Sequence, residues 1–114
     1  LPDEIDLSMD FDSLQAVGSM LGTGGVVVIC EPTSMIDVIY RISKFYAHES
    51  CGQCTPCRVG CEKAVKLMER PEWDEALLRE LSVAMADASI CGFGQAAPNP
   101  LLRAFEFFRE ELPI

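Results

Sequence analysis

Basic residues are scarce in this sequence. Lys and Arg number 9 against 18 Asp and Glu in a chain of 114 residues, so the formal net charge is −9. A phosphate backbone repels a chain with this balance, and we therefore expect no nucleic-acid partner. His48 is the only histidine, and no paired serine or base accompanies it. The sequence thus contains no catalytic set, and we expect no catalytic residue in it.

Long apolar runs and a secretion signal are also missing. The longest apolar run, Gly24–Cys30, is far shorter than the roughly 20 residues that a membrane-spanning helix needs, so we expect no direct membrane insertion. The chain begins at Leu1 with no basic segment, apolar signal region or cleavage site. We therefore interpret it as a piece of a longer protein, and we expect a cytoplasmic location, which includes the periphery of a membrane complex.

Apolar residues make up 49% of the chain, which is enough for a hydrophobic core. Residues 5–9 alternate between apolar and polar side chains, and Val26–Ile29 is β-branched throughout; both patterns are typical of strands. A short helix ending near Ala16 and a glycine-rich turn lie between them. Cys30, at the end of the second run, is expected to be a small core residue. The pattern predicts a short αβ segment over residues 1–31.

Residues 32–114 instead show helical periodicity. Four helix starts are indicated by capping residues or by proline in a first turn, at Ser34, Thr55–Pro56, Pro71–Glu72 and Asn99–Pro100. Four helices with short connections predict a four-helix bundle. We therefore expect a mainly α fold, with domains 1–31 and 32–114.

Six cysteines are the most informative residues of the chain. Cys51, Cys54 and Cys57 form a C-x2-C-x2-C run in the connection between the first two predicted helices. A thiolate at every third residue lets a short loop surround one centre, as in the runs that hold [4Fe–4S] clusters. Cys91, in the loop before the last predicted helix, is the candidate for the fourth ligand, because in an antiparallel bundle that loop lies at the same end.

Two alternatives remain open for these cysteines. Four thiolates also suit structural zinc, which would make the chain a docking module without redox activity. Zinc sites usually present two separated C-x2-C pairs, whereas this chain has a run of three and a distant fourth. A secreted disulfide scaffold is the other alternative.

The neighbours of the run fit a cluster. Gly52 and Gly92, with Gly60 and Gly94, would let backbone amides approach the sulfurs, and Arg58 would offset negative charge. Cys61 lies four residues after Cys57, on the same helical face. It is either a buried spectator or a substitute ligand.

The two cysteine segments together resemble a known family. Phe45-Tyr-Ala-His-Glu-Ser-Cys-Gly-Gln-Cys-Thr-Pro-Cys57-Arg58 and Ser89-Ile-Cys-Gly-Phe-Gly94 are similar to the C-terminal iron–sulfur domain of the family of NADH-dehydrogenase flavoprotein subunits. This family includes the NADH-oxidising subunit of respiratory complex I and the diaphorase subunits of NAD-linked formate dehydrogenases and hydrogenases. The resemblance covers nearly the whole chain, but only roughly the last quarter of a family member.

The resemblance implies a specific role. In the family, NADH reduces FMN, and electrons leave one at a time through a [4Fe–4S] cluster whose four ligands match Cys51, Cys54, Cys57 and Cys91. It implies that residues up to about Glu31 end a small β-grasp-like domain. FMN and NADH would bind an upstream portion of the same subunit, and other iron–sulfur subunits of a complex would be partners. The chain alone should then turn over no substrate.

Two departures bear on which relatives are nearest. Val59-Gly60-Cys61 replaces the acidic residue, glycine and threonine that usually follow this arginine in respiratory members. Together with the stretch from Gln95 to Pro100, this looks more like the soluble formate dehydrogenase and hydrogenase relatives.

Overall fold

A computed structural model describes residues 4–114. The chain divides into two units at Glu31 and Pro32, and each is described by itself. The helices are α1 Phe11–Ala16 in the first unit and α2 Met35–Glu49, α3 Thr55–Met68, α4 Glu75–Ala88, α5 Gly92–Ala96 and α6 Asn99–Phe107 in the second, followed by a 3₁₀ turn at Arg109–Glu111. The expectation of a mainly α fold is confirmed.

The first unit contains one short helix and a glycine-rich stretch. Asp10 caps α1, because its carboxylate accepts a hydrogen bond from the Ser13 N–H at 2.8 Å. Three glycines have positive φ and form turns that other residues adopt only with strain, namely Gly18, Gly22 and Gly24.

The two strands predicted for this unit are not formed, since residues 4–114 contain no β-strand. Ile5 lies in a turn, and Val26, Val27 and Val28 are 68%, 87% and 91% exposed. β-branched composition favours a strand only where a second strand supplies hydrogen bonds and a cover for the apolar face. Cys30 is exposed as well, so the expectation that it is a core residue was wrong.

The larger of two apolar clusters in the second unit is formed mainly by α2, α3, α4 and α6. Leu78 and Phe105, from α4 and α6, are its largest fully buried side chains. Trp73, in the α3–α4 connection, is also buried, and its indole N–H donates to the Met68 carbonyl at 2.9 Å. The remaining buried members of this core are Ile39, Leu67, Met68, Leu101, Ala104 and Leu112.

The capping groups decide where the helices begin. Ser34 caps α2 as predicted, with its hydroxyl 3.3 Å from the Asp37 N–H. α3 is capped by Cys54, one residue before the predicted Thr55, and α4 by Asp74 instead of Pro71–Glu72. The Asp74 carboxylate accepts from the Leu77 N–H at 3.0 Å, which makes it a better cap than a proline segment. α5 was not predicted.

Glu75 links the start of α4 to the C-terminal turn. Its carboxylate lies 2.7 Å from Arg109 and 2.8 Å from Arg79. Hydrogen bonds from Arg109 and then Arg79 hold the pKa of Glu75 below its usual value. The neighbouring backbone contact, from the Trp73 N–H to the Pro113 carbonyl at 2.6 Å, joins the same two segments.

Glu75→Gln is expected to lower the thermal midpoint at neutral pH and to change it little in acid. A carboxylate whose pKa is lowered by folding stabilises the protein above its unfolded pKa, and this contribution is lost as the pH falls through the folded pKa. Circular dichroism melts of both proteins, from neutral pH to below the usual Glu value of 4.5, measure the gap between midpoints. The gap should close below that value, and a gap that persists at the acid end contradicts the argument.

Candidate metal centre

The first cysteine loop joins α2 to α3 in a tight turn. Gly52 has φ +76°, a conformation that favours glycine, so the chain reverses between Cys51 and Cys54. Cys54 is the N-cap of α3, and Cys57 lies one turn into that helix, where it is 5% exposed. The spacing of the run thus places one cysteine in the turn, one at the helix start and one inside the first helical turn.

The second cysteine segment stands at the start of another helix. Cys91 is the N-cap of α5, with φ −139° and ψ 163°, so the predicted loop is a cap followed by a five-residue helix. Its side chain is exposed, as is that of Cys51, whereas Cys54 is half-buried.

The two segments enclose one cavity of about 360 Å³. All four candidate ligands line it, with Glu49, Ser50, Gln53, Ile90 and Phe93 completing the wall. Within residues 4–114, no three Cys, His, Asp or Glu side chains converge closely enough for a single metal ion. The structure therefore brings the four cysteines to the surface of a shared cavity and does not gather them at a point.

The sulfur of Cys54 interacts with backbone amides from both cysteine segments. Hydrogen bonding from the backbone N–H of Ile90, and next from that of Cys57, lowers the pKa of the Cys54 thiol. The Cys57 amide is one of the unpaired N–H groups at the start of α3, where negative charge is favoured. Ile90 belongs to the other segment, so the sulfur of Cys54 is held by amides from both sides.

Gly94 allows α5 to approach the first loop. A Cβ at this position would lie 2.5 Å from Ser89 Oγ and 2.8 Å from the Cβ of Cys57, so only glycine leaves room for both. Gly60 has a different task from the one predicted: a Cβ there would lie 2.5 Å from the Met85 side chain, which shows that it allows α3 and α4 to pack closely. These two glycines position helices.

Arg58 braces the first loop. Its guanidinium donates to the carbonyl of Gly52 and lies 3.5 Å from the Thr55 hydroxyl. The Arg58 side chain is exposed. Gly92, the other predicted backbone contact, begins α5 and has nothing within 4 Å of where its Cβ would be. Arg58 and Gly52 therefore form one unit that holds the turn.

Cys61 does not line the cysteine cavity. It is 3% exposed and packs in a separate cluster with Cys57, Met85 and Ala97. Burial, followed by the nearby charge of Cys57, raises the pKa of the Cys61 thiol to about 12. A buried thiol that resists ionisation and does not line the cavity is interpreted as a packing residue. Cys30 belongs to the first unit.

Two serines beside Cys57 were not predicted from the sequence. Ser50 Oγ lies 3.3 Å from Cys57 Sγ. Ser89 Oγ is buried and has no hydrogen-bond partner among residues 4–114. Each serine ends a helix just before a cysteine, and that position was the signal that could have indicated them.

Comparison with known proteins places this arrangement in a family. The family model of the NADH-ubiquinone oxidoreductase-F iron-sulfur binding region matches residues 37–113. The chain belongs to this family. The NADH-ubiquinone oxidoreductase-F iron–sulfur region therefore contains α2 to α6 and both cysteine segments, and the prediction of an iron–sulfur protein with an electron-transfer role is confirmed.

Individual relatives agree with this membership. The F-type subunit of NADH-quinone oxidoreductase of Rickettsia bellii (strain OSU 85-389) is 45% identical over 112 residues, which are 91% of this chain and 26% of the relative. The second F-type subunit of the same enzyme in Rhizobium meliloti (strain 1021) is 43% identical over 114 residues, 95% of this chain and 27% of the relative. The chain thus spans about a quarter of the curated relatives it matches.

A solved structure has the same fold. It is described as an NAD+-reducing [NiFe]-hydrogenase in the H2-reduced state, and it matches with a TM-score of 0.69 and 36% identity. The match covers 75% of this chain and 16% of that one. No helix within residues 4–114 has the length and apolar character needed to cross a membrane.

The donor set of the F-type iron–sulfur region fits an iron–sulfur cluster. Thiolates are the ligands that such clusters take, and four are available around one cavity. In a structural zinc site, four sulfurs lie about 2.3 Å from a single ion. The cavity of about 360 Å³ between the cysteines has room for the larger cluster.

Proposed function

We propose that this chain transfers single electrons through a [4Fe–4S] cluster bound by Cys51, Cys54, Cys57 and Cys91. The observation that carries the proposal is the cavity that these four side chains share, although Cys91 is distant from the others in sequence. The cluster supplies reversible one-electron chemistry when bound. The chain's own residues hold it, cover part of it and set the polarity around it.

The neighbouring residues complete the proposed site. The left-handed turn at Gly52, held by Arg58, would present Cys51 and Cys54 to the same cluster. The positive charge of Arg58 offsets the negative charge of a thiolate-bound cluster. Gly92 begins α5 directly after Cys91, so its backbone amide would lie next to that ligand. These three residues are therefore proposed to contact or support the cofactor without ligating it.

The proposed setting is an NADH-oxidising, FMN-containing subunit of complex I, an NAD-linked formate dehydrogenase or an NAD-linked hydrogenase. The names of the relatives support the use of NADH, and the hydrogenase match supports the range of complexes. FMN and NADH would bind the portion of the subunit that relatives have beyond this quarter. Electrons would pass to other iron–sulfur subunits, in the cytoplasm or at the periphery of a membrane complex.

We infer that residues 1–31 are the C-terminal part of a small β-grasp-like domain and that residues 32–114 are the cluster domain. The exposed Val26, Val27 and Val28 support the first assignment, because β-branched side chains suit a strand that gains its partner from elsewhere in a longer protein. The cysteine cavity, whose lining residues all lie between 49 and 93, supports the second assignment.

Anaerobic reconstitution of the 114-residue chain with iron and sulfide is expected to give a brown protein. It should hold about four irons per chain, because four thiolates bind one cluster. Iron and acid-labile sulfide analysis measures the loading. Its visible absorbance should bleach when dithionite adds one electron, and electron paramagnetic resonance should then detect the reduced cluster.

If the site instead binds structural zinc, the same reconstitution should give the opposite result. A colourless protein that takes one zinc per chain and shows no absorbance after reconstitution would overturn the proposal. The Cys30→Ser variant is the matched control, because Cys30 lies in the first unit and should leave the loading unchanged.

A further inference from the structure

Two serines end helices shortly before candidate ligands. Ser50 is the C-cap of α2 and Ser89 is the C-cap of α4. At both residues the backbone leaves the helix, with ψ 126° and 137°, and a candidate ligand follows within two residues. The two halves of the site thus share one arrangement, in which a hydroxyl precedes a cysteine.

The hydroxyl of Ser50 is directed at a candidate ligand. Its oxygen accepts from the Gly52 N–H at 3.4 Å and lies 3.3 Å from Cys57 Sγ. A thiolate has no proton to give, so when Cys57 is ionised the Ser50 hydroxyl must be the donor. Ser50 can therefore accept a hydrogen bond from the turn and donate one to the sulfur of Cys57.

Ser89 is a buried residue with one unused group. It is 4% exposed; its N–H donates to Met85 at 3.1 Å, and its carbonyl accepts from Gln95 at 2.9 Å. Only the hydroxyl has no partner among residues 4–114. Ser82, seven residues earlier in α4, is equally buried but donates to the Leu78 carbonyl at 2.7 Å. A buried hydroxyl without a hydrogen bond lowers the stability of the fold, so we expect the Ser89 hydroxyl to have a partner in the functional protein.

The surroundings of Ser89 indicate which partner this is. Ser89 Oγ and the Cβ of Cys57 both lie within 3 Å of the point where a Cβ of Gly94 would stand, so they are neighbours across that glycine. The unused hydroxyl therefore lies next to the buried Cys57 side chain.

We propose that Ser50 and Ser89, which both lie beside Cys57, donate hydrogen bonds to sulfurs of the bound cluster and thereby raise its reduction potential. Adding an electron makes the cluster and its thiolates more negative, so a hydrogen bond to sulfur stabilises the reduced form more than the oxidised form. The two serines are positioning and tuning residues, since they act through the ligands. This inference rests on the proposed function.

The test compares Ser89→Ala and Ser50→Ala with the unmodified chain after reconstitution. Each variant should bind the same amount of iron and should have a lower reduction potential in a dithionite titration followed by electron paramagnetic resonance. We expect the equilibrium constant for one-electron reduction to fall about tenfold for Ser89→Ala, which corresponds to about 59 mV. The shift for Ser50→Ala should be smaller, because the mouth of the cavity is more open to water.

Ser82→Ala is the matched control, because it removes a buried hydroxyl from the same helix that already has a partner. Its potential should not change. Iron-to-thiolate stretching frequencies, measured by resonance Raman in light and heavy water, should shift on deuteration in the unmodified chain and shift less in Ser89→Ala. Loaded serine variants with unchanged potentials would overturn this inference alone. If the unmodified chain binds no cluster, the proposed function itself fails.

Discussion

Cys91→Ser is expected to abolish or degrade the cluster. The other three cysteines come from one short loop, and Cys91 is the single ligand supplied by the second segment of the cavity wall. A serine oxygen is a harder and more basic ligand than a thiolate, so the fourth iron would be bound weakly and lost. Iron and sulfide content after anaerobic reconstitution should fall from about four of each per chain. The visible absorbance should fall with it.

The two cysteines outside the cavity are the controls for this variant. Cys61→Ala removes a buried thiol that packs beside Cys57 without lining the cavity, and Cys30→Ser alters the first unit. Both should retain the iron content of the unmodified chain. If Cys61→Ala lost the cluster while Cys91→Ser kept it, the assignment of the fourth ligand would be wrong.

Gly94→Ala is expected to destabilise the chain and to impair cluster binding at the same time. The added methyl would meet Ser89 Oγ at 2.5 Å and the Cβ of Cys57 at 2.8 Å. Neither neighbour is the flexible end of a long side chain, so α5 must move away from the first loop. Overpacking of this kind costs about 1–3 kcal/mol. Urea unfolding of the metal-free chain measures the loss, and reconstitution measures the loading.

Gly92→Ala is the matched comparison, because it lies in the same helix and its new methyl would meet nothing within 4 Å. It should leave the unfolding free energy unchanged or raise it by up to about 1 kcal/mol, since alanine restricts the unfolded chain. Equal destabilisation by both substitutions would show that the close approach at Gly94 is not the cause of the loss.

The helices of the second unit were largely predictable because their signals are local. Ser34 and Asp37 mark the start of α2 through a hydrogen bond between residues three apart. α4 was placed too early, because the proline at 71 resembles a helix start, while the effective cap is the carboxylate of Asp74. The short helix α5 was missed since five residues are too few to show a period.

The strands predicted for the first unit are not formed in its described residues, because a strand depends on contacts that are not local in the sequence. Alternation and β-branching describe a surface that suits a sheet, but a strand requires a partner from another part of the chain. Val27 and Val28 are therefore almost fully exposed within the described residues. Periodicity could not reveal whether that partner is present.

The cysteine chemistry shows the same division between sequence and tertiary structure. The C-x2-C-x2-C run and Cys91 determined by themselves that a sulfur-ligated centre was to be expected, because the spacing of thiolates along a short loop restricts what they can bind. Only the tertiary structure decided that Cys61 does not line the cavity and that Gly94 and Ser89 fit against Cys57. These features depend on contacts between helices distant in sequence, and such contacts arise from packing, which leaves no local pattern to read.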